Sequence, residues 1–324
     1  MKATTLLLIY STILIAHSAI CNTAAFGGGG SYGAHSAGAF SAFVSLLPQS
    51  SINYTAVAGI SAGSLNSIGI AQFPTNSEQG ASEFILSVWR SINGSQSIFE
   101  EWTGGLVAGL LFHSGLYDTA PEFKLLKQQA TKPAQRKLSM GTVEINSGLY
   151  RIYNETYTLT QQQQAAMCSS AIPALFKNQD FNGGVYCDGG LFNGFDAVEA
   201  IERCLEGGSA QSEIYLDIFS CFSYNLTAEA AKMKTIQVIE RSFSIRGRML
   251  GFRSLNFAKQ AYPNVNYRYF VEPLETFSGS ALDFNATFIN ELIGFGIQDA
   301  KKIIGAGINL EKAIKENKPV IIYP

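Results

Sequence analysis

Apolar runs of two lengths alternate along most of this chain. Runs of about four to eight residues bounded by glycine or polar clusters have the length of buried strands, and longer ones that of helices. Thr23–Phe26 predicts a short strand. Ala34–Leu47, small and apolar with Gly38 as its one weak point, predicts a helix ended by Pro48. Ile52–Ala58 is largely apolar, as a strand covered on both faces should be, and Ser64–Ile70 predicts the helix after it. Strand, glycine loop, helix, strand, tight turn, helix is the βαβα order of a parallel sheet clothed by helices.

Further along, helices are expected over Glu78–Ser91, Pro121–Ala130, Ala228–Lys259 and Thr287–Ile304, the last stopped by Gly305. Strands are expected over Lys137–Ile145, Leu149–Tyr153, Val185–Cys187, Ile214–Phe219 and Val265–Val271. Gln161–Gln164 reads as the start of a surface helix that Ser169–Phe176 ends. The apolar segment Gly104–Tyr117 fits a cap beside a lipid-binding cleft or a core helix, and the core helix is the plainer reading. With no internal repeat and no Pro- or Ser-rich linker, residues 20–324 are expected to form a single domain. The fold class is α/β, three-layered, with a mostly parallel central sheet and helices on both faces.

The N-terminus changes the picture of where the chain works. Lys2 followed by the apolar run Leu6–Ala16 and the small residues up to Ala19 reads as a signal peptide over residues 1–19. The run is short of the roughly 20 apolar residues a membrane span needs, and no later run spans, so no transmembrane segment is expected after signal removal. The expected location is the secretory pathway, outside the cell or in a lysosomal or vacuolar lumen. Sequons at Asn53, Asn93, Asn154, Asn225 and Asn285 agree with that route. Cys21 lies at the cleavage border, which leaves Cys168, Cys187, Cys204 and Cys221 with three possible pairings. No C-x-x-C spacing suggests zinc. The composition, 47% hydrophobic and 15% charged, supports a sizeable core, and a net charge of −2 gives no reason to expect nucleic acid. Only 241–259 is locally basic, with Arg241, Arg246, Arg248, Arg253 and Lys259 among Phe243, Met249, Leu250, Phe252 and Phe257. It fits a membrane-surface element or, more plainly, a helix packing one apolar face.

The candidate chemistry centres on Gly59-Ile60-Ser61-Ala62-Gly63, a G-x-S-x-G sequence between a strand and a helix. That is the context of a nucleophile elbow, in which the small residues Gly59 and Gly63 let the turn close and Ser61 is presented to substrate. A serine hydroxyl needs a base. Of His17, His35 and His113, His17 leaves with the signal peptide. A Ser–acid–His triad would require His113, with Glu78, Glu83, Glu100 or Glu101 as its acid, none of them in a recognisable turn. Asp188 is better placed: it ends a strand-like run before Gly189-Gly190, where parallel sheets put their sites, although an aspartate there also makes turns by itself. Gly28, Gly29 and Gly30 could turn their amides onto a developing oxyanion, with no Walker-A lysine to suggest phosphate instead.

These elements in this order resemble the patatin-like phospholipases: Gly28-Gly29-Gly30, the elbow Gly59–Gly63, and Asp188-Gly189-Gly190. Gly33–Gly38, Gly63–Asn66 and Ser169–Phe176 are also similar to the family's intervening segments, so the resemblance spans about residues 24–195. It implies a patatin-like phospholipase domain over 20–324 and a Ser–Asp dyad without histidine. Ser61 would be the nucleophile, Asp188 the base, and Gly28, Gly29 and Gly30 the oxyanion loop. It implies a lipid substrate at a membrane or micelle surface, an acyl-enzyme intermediate, and no metal or cofactor. One departure is Tyr32, where the family usually carries Lys or Arg. It leaves a catalytically weak binding or storage protein as the other reading.

Overall fold

The computed structural model describes residues 19–222 and 232–306. The expected signal segment 1–18, Asn225 and residues 228–231 of the expected helix lie outside them. β1 (Cys21–Phe26) is buried at every position and opens the chain's path through the centre of the sheet. It leads through the glycine loop into α1 (Gly33–Leu46), the short α2 (Gln49–Ile52) and β2 (Tyr54–Ile60), which turns at Ser61 into α3 (Ala62–Ala71). α4 (Glu78–Ser91), β3 (Glu100–Glu101), α5 (Gly105–Phe112), β4 (Gly115–Asp118) and α6 (Ala120–Gln129) follow. β5 (Lys137–Glu144) returns to the main sheet and pairs with β6 (Tyr150–Asn154). Next come α7 (Leu159–Ser170), β7 (Ala174–Phe176), β8 (Gln179–Phe181) and β9 (Gly184–Asp188). The chain continues with α8 (Ala197–Leu205), β10 (Ile214–Phe219), α9 (Thr235–Ala261), β11 (Asn266–Val271) and α10 (Ala286–Gly305).

The main sheet runs β11-β10-β1-β2-β5-β9-β8, with β6 also on β5. β11 through β5 are parallel; β6, β8 and β9 pair antiparallel. Because successive side chains of a strand point to opposite faces, β1 and β2 feed two cores. Ala24, Phe26, Tyr54 and Val57 pack with α1, α3, α4 and α10 on one side. Cys21, Ala25, Ala56 and Ala58 pack with α8 and α9 on the other. This is the three-layer, mostly parallel α/β architecture that the apolar runs predict.

Three features differ from the expectations. Cys21 is not left at a border: it forms a disulfide with Cys204, tying the first residue of β1 to α8, while Cys168, Cys187 and Cys221 are buried free thiols. α5 is not a core helix. Only Gly109 is buried, packed so closely on β4 that an added Cβ would meet Leu116 O at 2.5 Å, and Leu110 and Phe112 are 72% and 79% exposed. The segment Ser169–Phe176 does end α7, at Ser170, but it then goes on to form β7, which joins β3 and β4 in a second, three-stranded sheet. Among the described residues no helix is long and apolar enough to cross a membrane.

Candidate active site

The turn from β2 into α3 is as tight as the small residues allow. A Cβ on Gly59 would stand 2.2 Å from Gly63 O, and one on Gly63 would stand 2.2 Å from Phe26 O. Ser61 between them has φ 56° and ψ −128°, a conformation that costs a non-glycine residue about 1–3 kcal/mol. The surroundings hold it there. Ser61 N–H donates to Ser169 Oγ (2.9 Å), whose hydroxyl donates to Gly141 O (2.7 Å), and Ser64 Oγ donates to Ser61 O (2.6 Å). One strand and two helices therefore fix the serine backbone.

Asp188 is the last residue of β9, two strands from the elbow across β5. The structure brings it to Ser61. Both line the same cavity, with the Ser61 hydroxyl beside the Asp188 carboxylate, and Gly190 N–H donates to Asp188 Oδ1 at 2.6 Å. Ser61 and Asp188 are each 5% exposed. Burial pushes the Asp188 carboxyl up to about 7, against the pull of the neighbouring Ser61 hydroxyl and Gly190 N–H. A carboxylate lifted that far is a far better proton acceptor than an ordinary aspartate and is still about half ionised at neutral pH.

The glycine loop closes the site from the end of β1. A Cβ on Gly28 would lie 2.8 Å from Ser61 Cβ, so only glycine lets this backbone reach the nucleophile. The loop's amides are not equivalent. Gly28 N–H donates to Gly194 O at 3.3 Å and Ser31 N–H to Ala281 O at 2.8 Å. Gly29 and Gly30 N–H have no backbone acceptor among the described residues. Ala62, the first residue of α3, carries one of the N–H groups that a helix start leaves unpaired, next to the nucleophile. Cys221 supports the loop from below, its thiol 3.3 Å from Gly27 O.

Two apolar cavities meet at Ser61. One runs beside α3 towards α4 and α6, lined by Leu65, Ile68, Trp89, Leu126 and Phe176 among others. The second lies under α9 and contains Gly28, Gly29, Gly30, Asp188, Leu191 and Phe243. Among the described residues no three His, Cys, Asp or Glu side chains come together as metal ligands.

A family model described as "Patatin-like phospholipase" matches residues 24–201, more than half of the chain. The chain belongs to the patatin-like phospholipase family. Lipid acyl hydrolysis is therefore its activity in general terms. Among solved structures it is similar to the crystal structure of VipD from Legionella pneumophila, at 13% identity and a TM-score of 0.40, over 89% of this chain and 67% of that one. No curated protein matches it.

The residues of the alternative triad, and Tyr32 beside the patatin-like glycine loop, fall elsewhere. His113 stacks on Trp102, ring centroids 3.6 Å apart, and lines neither cavity at Ser61. His35 is buried against Asp299 (Nε2 to Oδ2, 3.1 Å). Glu78, a possible triad acid, is paired with Arg136 at 2.8 Å in the core. Tyr32 turns away from the serine: its hydroxyl donates to Gly279 O (2.9 Å) and its ring packs on Phe277. Burial pushes its pKa up to about 12. Ser169 stands in the sequence at the head of the Ser169–Phe176 segment with nothing to mark its bond to Ser61, and Glu122 and Gln72 bring polar side chains into the apolar cavity with no local motif to announce them.

Proposed function

We propose that this protein is a secreted serine lipid acyl hydrolase that cleaves lipid ester bonds, phospholipids included, through Ser61 and Asp188. The observation that carries this reading is the elbow serine Ser61 and the buried Asp188 carboxylate lining one apolar cavity, where it meets a second at Ser61. Ser61 Oγ attacks the ester carbonyl carbon as its proton passes to Asp188. The carbonyl oxygen becomes an oxyanion, stabilised by the Gly29, Gly30 and Ala62 amides; losing one such donor typically costs about 3 kcal/mol. Collapse breaks the carbon–oxygen bond, and the departing alkoxide takes the proton from Asp188. Water then gives a proton to Asp188 and its oxygen to the acyl carbon. The acid leaves, and the proton returns to Ser61.

The Cys21–Cys204 disulfide supports an oxidising compartment, since such bonds are rare in the reducing cytosol. α5 supports work at a lipid surface. Its exposed Leu110, Leu111 and Phe112 stand on β4, which pairs with β7, and Phe176 of β7 lines the cavity beside α3. α9, the basic aromatic segment, is better read as a roof: Phe243, Ser244 and Gly247 line the second cavity and Arg246 donates to Leu191 O. Labelling with a fluorophosphonate probe tests the nucleophile. Wild type should label and Ser61→Ala should not; equal labelling of both would end the reading.

A further inference from the structure

The cavity beside α3 follows one face of that helix for its whole length. Ser61, Leu65, Ile68 and Gln72 line it at successive turns. From Ser61 to Gln72 the helical rise gives roughly 16 Å, the reach of about a dozen carbons of an extended chain. In this otherwise apolar wall two buried polar atoms have no partner, Gln72 Nε2 and Glu122 Oε2. Gln72 is 4% exposed and Glu122 5%. The orientation of the Gln72 amide is fixed by its surroundings. Its Oε1 accepts Thr131 N–H at 2.8 Å and Lys132 N–H at 3.1 Å, so an inverted amide would set donor against donor and the NH2 group must face away from both. Glu122 lines the cavity together with Ser170, whose hydroxyl donates to Met167 O, and burial pushes the Glu122 carboxyl up to about 8. At neutral pH it is largely the protonated acid, itself a donor. Of the other polar side chains in the same wall, Asn66 is satisfied by Gly33 O and Trp89 Nε1, Ser170 donates to Met167 O, and Gln129 is only partly buried. A plain hydrocarbon would leave the Gln72 and Glu122 donors unmade, and buried donors without acceptors are what polar sites discriminate by.

We propose that this cavity takes the acyl chain and that Gln72 and Glu122 select chains carrying an oxygen (hydroxyl, keto or epoxide) over plain hydrocarbon of the same length. This rests on the hydrolase reading above. Gln72 reads an oxygen about a dozen carbons from the ester carbonyl, and Glu122, on α6 packed against α7, whose Ser169 accepts the Ser61 N–H, reads one nearer the ester.

The test is competition in one tube between monoacylglycerols of 12-hydroxystearate and stearate in mixed micelles, scored as the ratio of kcat/KM values. A ratio is insensitive to the fraction of folded enzyme. Wild type is expected to favour the hydroxylated ester by roughly tenfold or more. Gln72→Met should bring the ratio close to one. With a 3-hydroxylated ester, Glu122→Leu should lower the ratio and Glu122→Gln, which keeps a donor, should restore it. A wild-type ratio of one, or a ratio that Gln72→Met leaves unchanged, overturns the selectivity. If both esters are then cleaved equally and Ser61→Ala abolishes cleavage, the hydrolase reading stands without it. If neither ester is cleaved, both readings fall.

Discussion

Asp188 carries two roles that pull against each other. As a base it works ionised, so hydrolysis should rise with pH through about 7, the value to which burial lifts its carboxyl. A pH profile of kcat/KM checks this; a limb at the ordinary carboxylate range near 4 would mean that the site is more hydrated than it is here. For stability the sign is opposite. The folded state holds the Asp188 proton to a higher pH than the unfolded chain does. The stability this contributes is fully present below about 4 and lost as pH rises through about 7. Asp188→Asn cannot lose it, and Oδ1 of asparagine can still accept from Gly190 N–H. That variant should melt several degrees above wild type at pH 8 and level with it at pH 4, while being inactive. Ser61 and Asp188 were legible because each sits in a short glycine-flanked motif at a strand end. Ser169, Gln72 and Glu122 were not, because a side chain's contact across the fold leaves no pattern in its own neighbourhood.

At the scale of elements, α5 and the disulfide show what periodicity misses. The run Leu106–Phe112 is apolar all round, and such a run reads equally as core or as lipid-facing; only the packing of Gly109 on β4 decides. Burying a leucine contributes about 1.5–3 kcal/mol. Changing Leu110 and Leu111 together to serine should therefore lower the ratio of vesicle-bound to monomeric ester hydrolysis by at least about tenfold. An unchanged ratio would remove α5 from the lipid interface. Cys21 borders the expected signal, yet its partner lies 183 residues away on α8. Sequence spacing says nothing about such pairs. Replacing Cys21 and Cys204 by serine should cost roughly 2–5 kcal/mol, read from reversible urea unfolding; a variant as stable as wild type would mean the loop closure contributes nothing. α8 itself was missed although Ala197, Ala200, Ile201 and Cys204 repeat at helical spacing and face the core.

Across the whole molecule, the long apolar runs were enough to read the parallel heart of the sheet, β2 and β10 above all, because strands buried on both faces must be apolar throughout. The antiparallel margin was harder. β7 and β8 have three residues each, too few to show a period, and Ala174 with φ 67° turns the chain where the sequence reads as a helix end. The margin matters because β5 and β9 carry Asp188 across to the elbow. The central claim is that this architecture pairs Ser61 with a carboxylate and needs no histidine. Lipid hydrolysis by wild type, Ser61→Ala, Asp188→Asn and His113→Ala, measured side by side on one phospholipid, tests it most directly. Losses of about a hundredfold or more are expected for Asp188→Asn, at least as large for Ser61→Ala, with little change for His113→Ala. An active Asp188→Asn beside an inactive His113→Ala would contradict it.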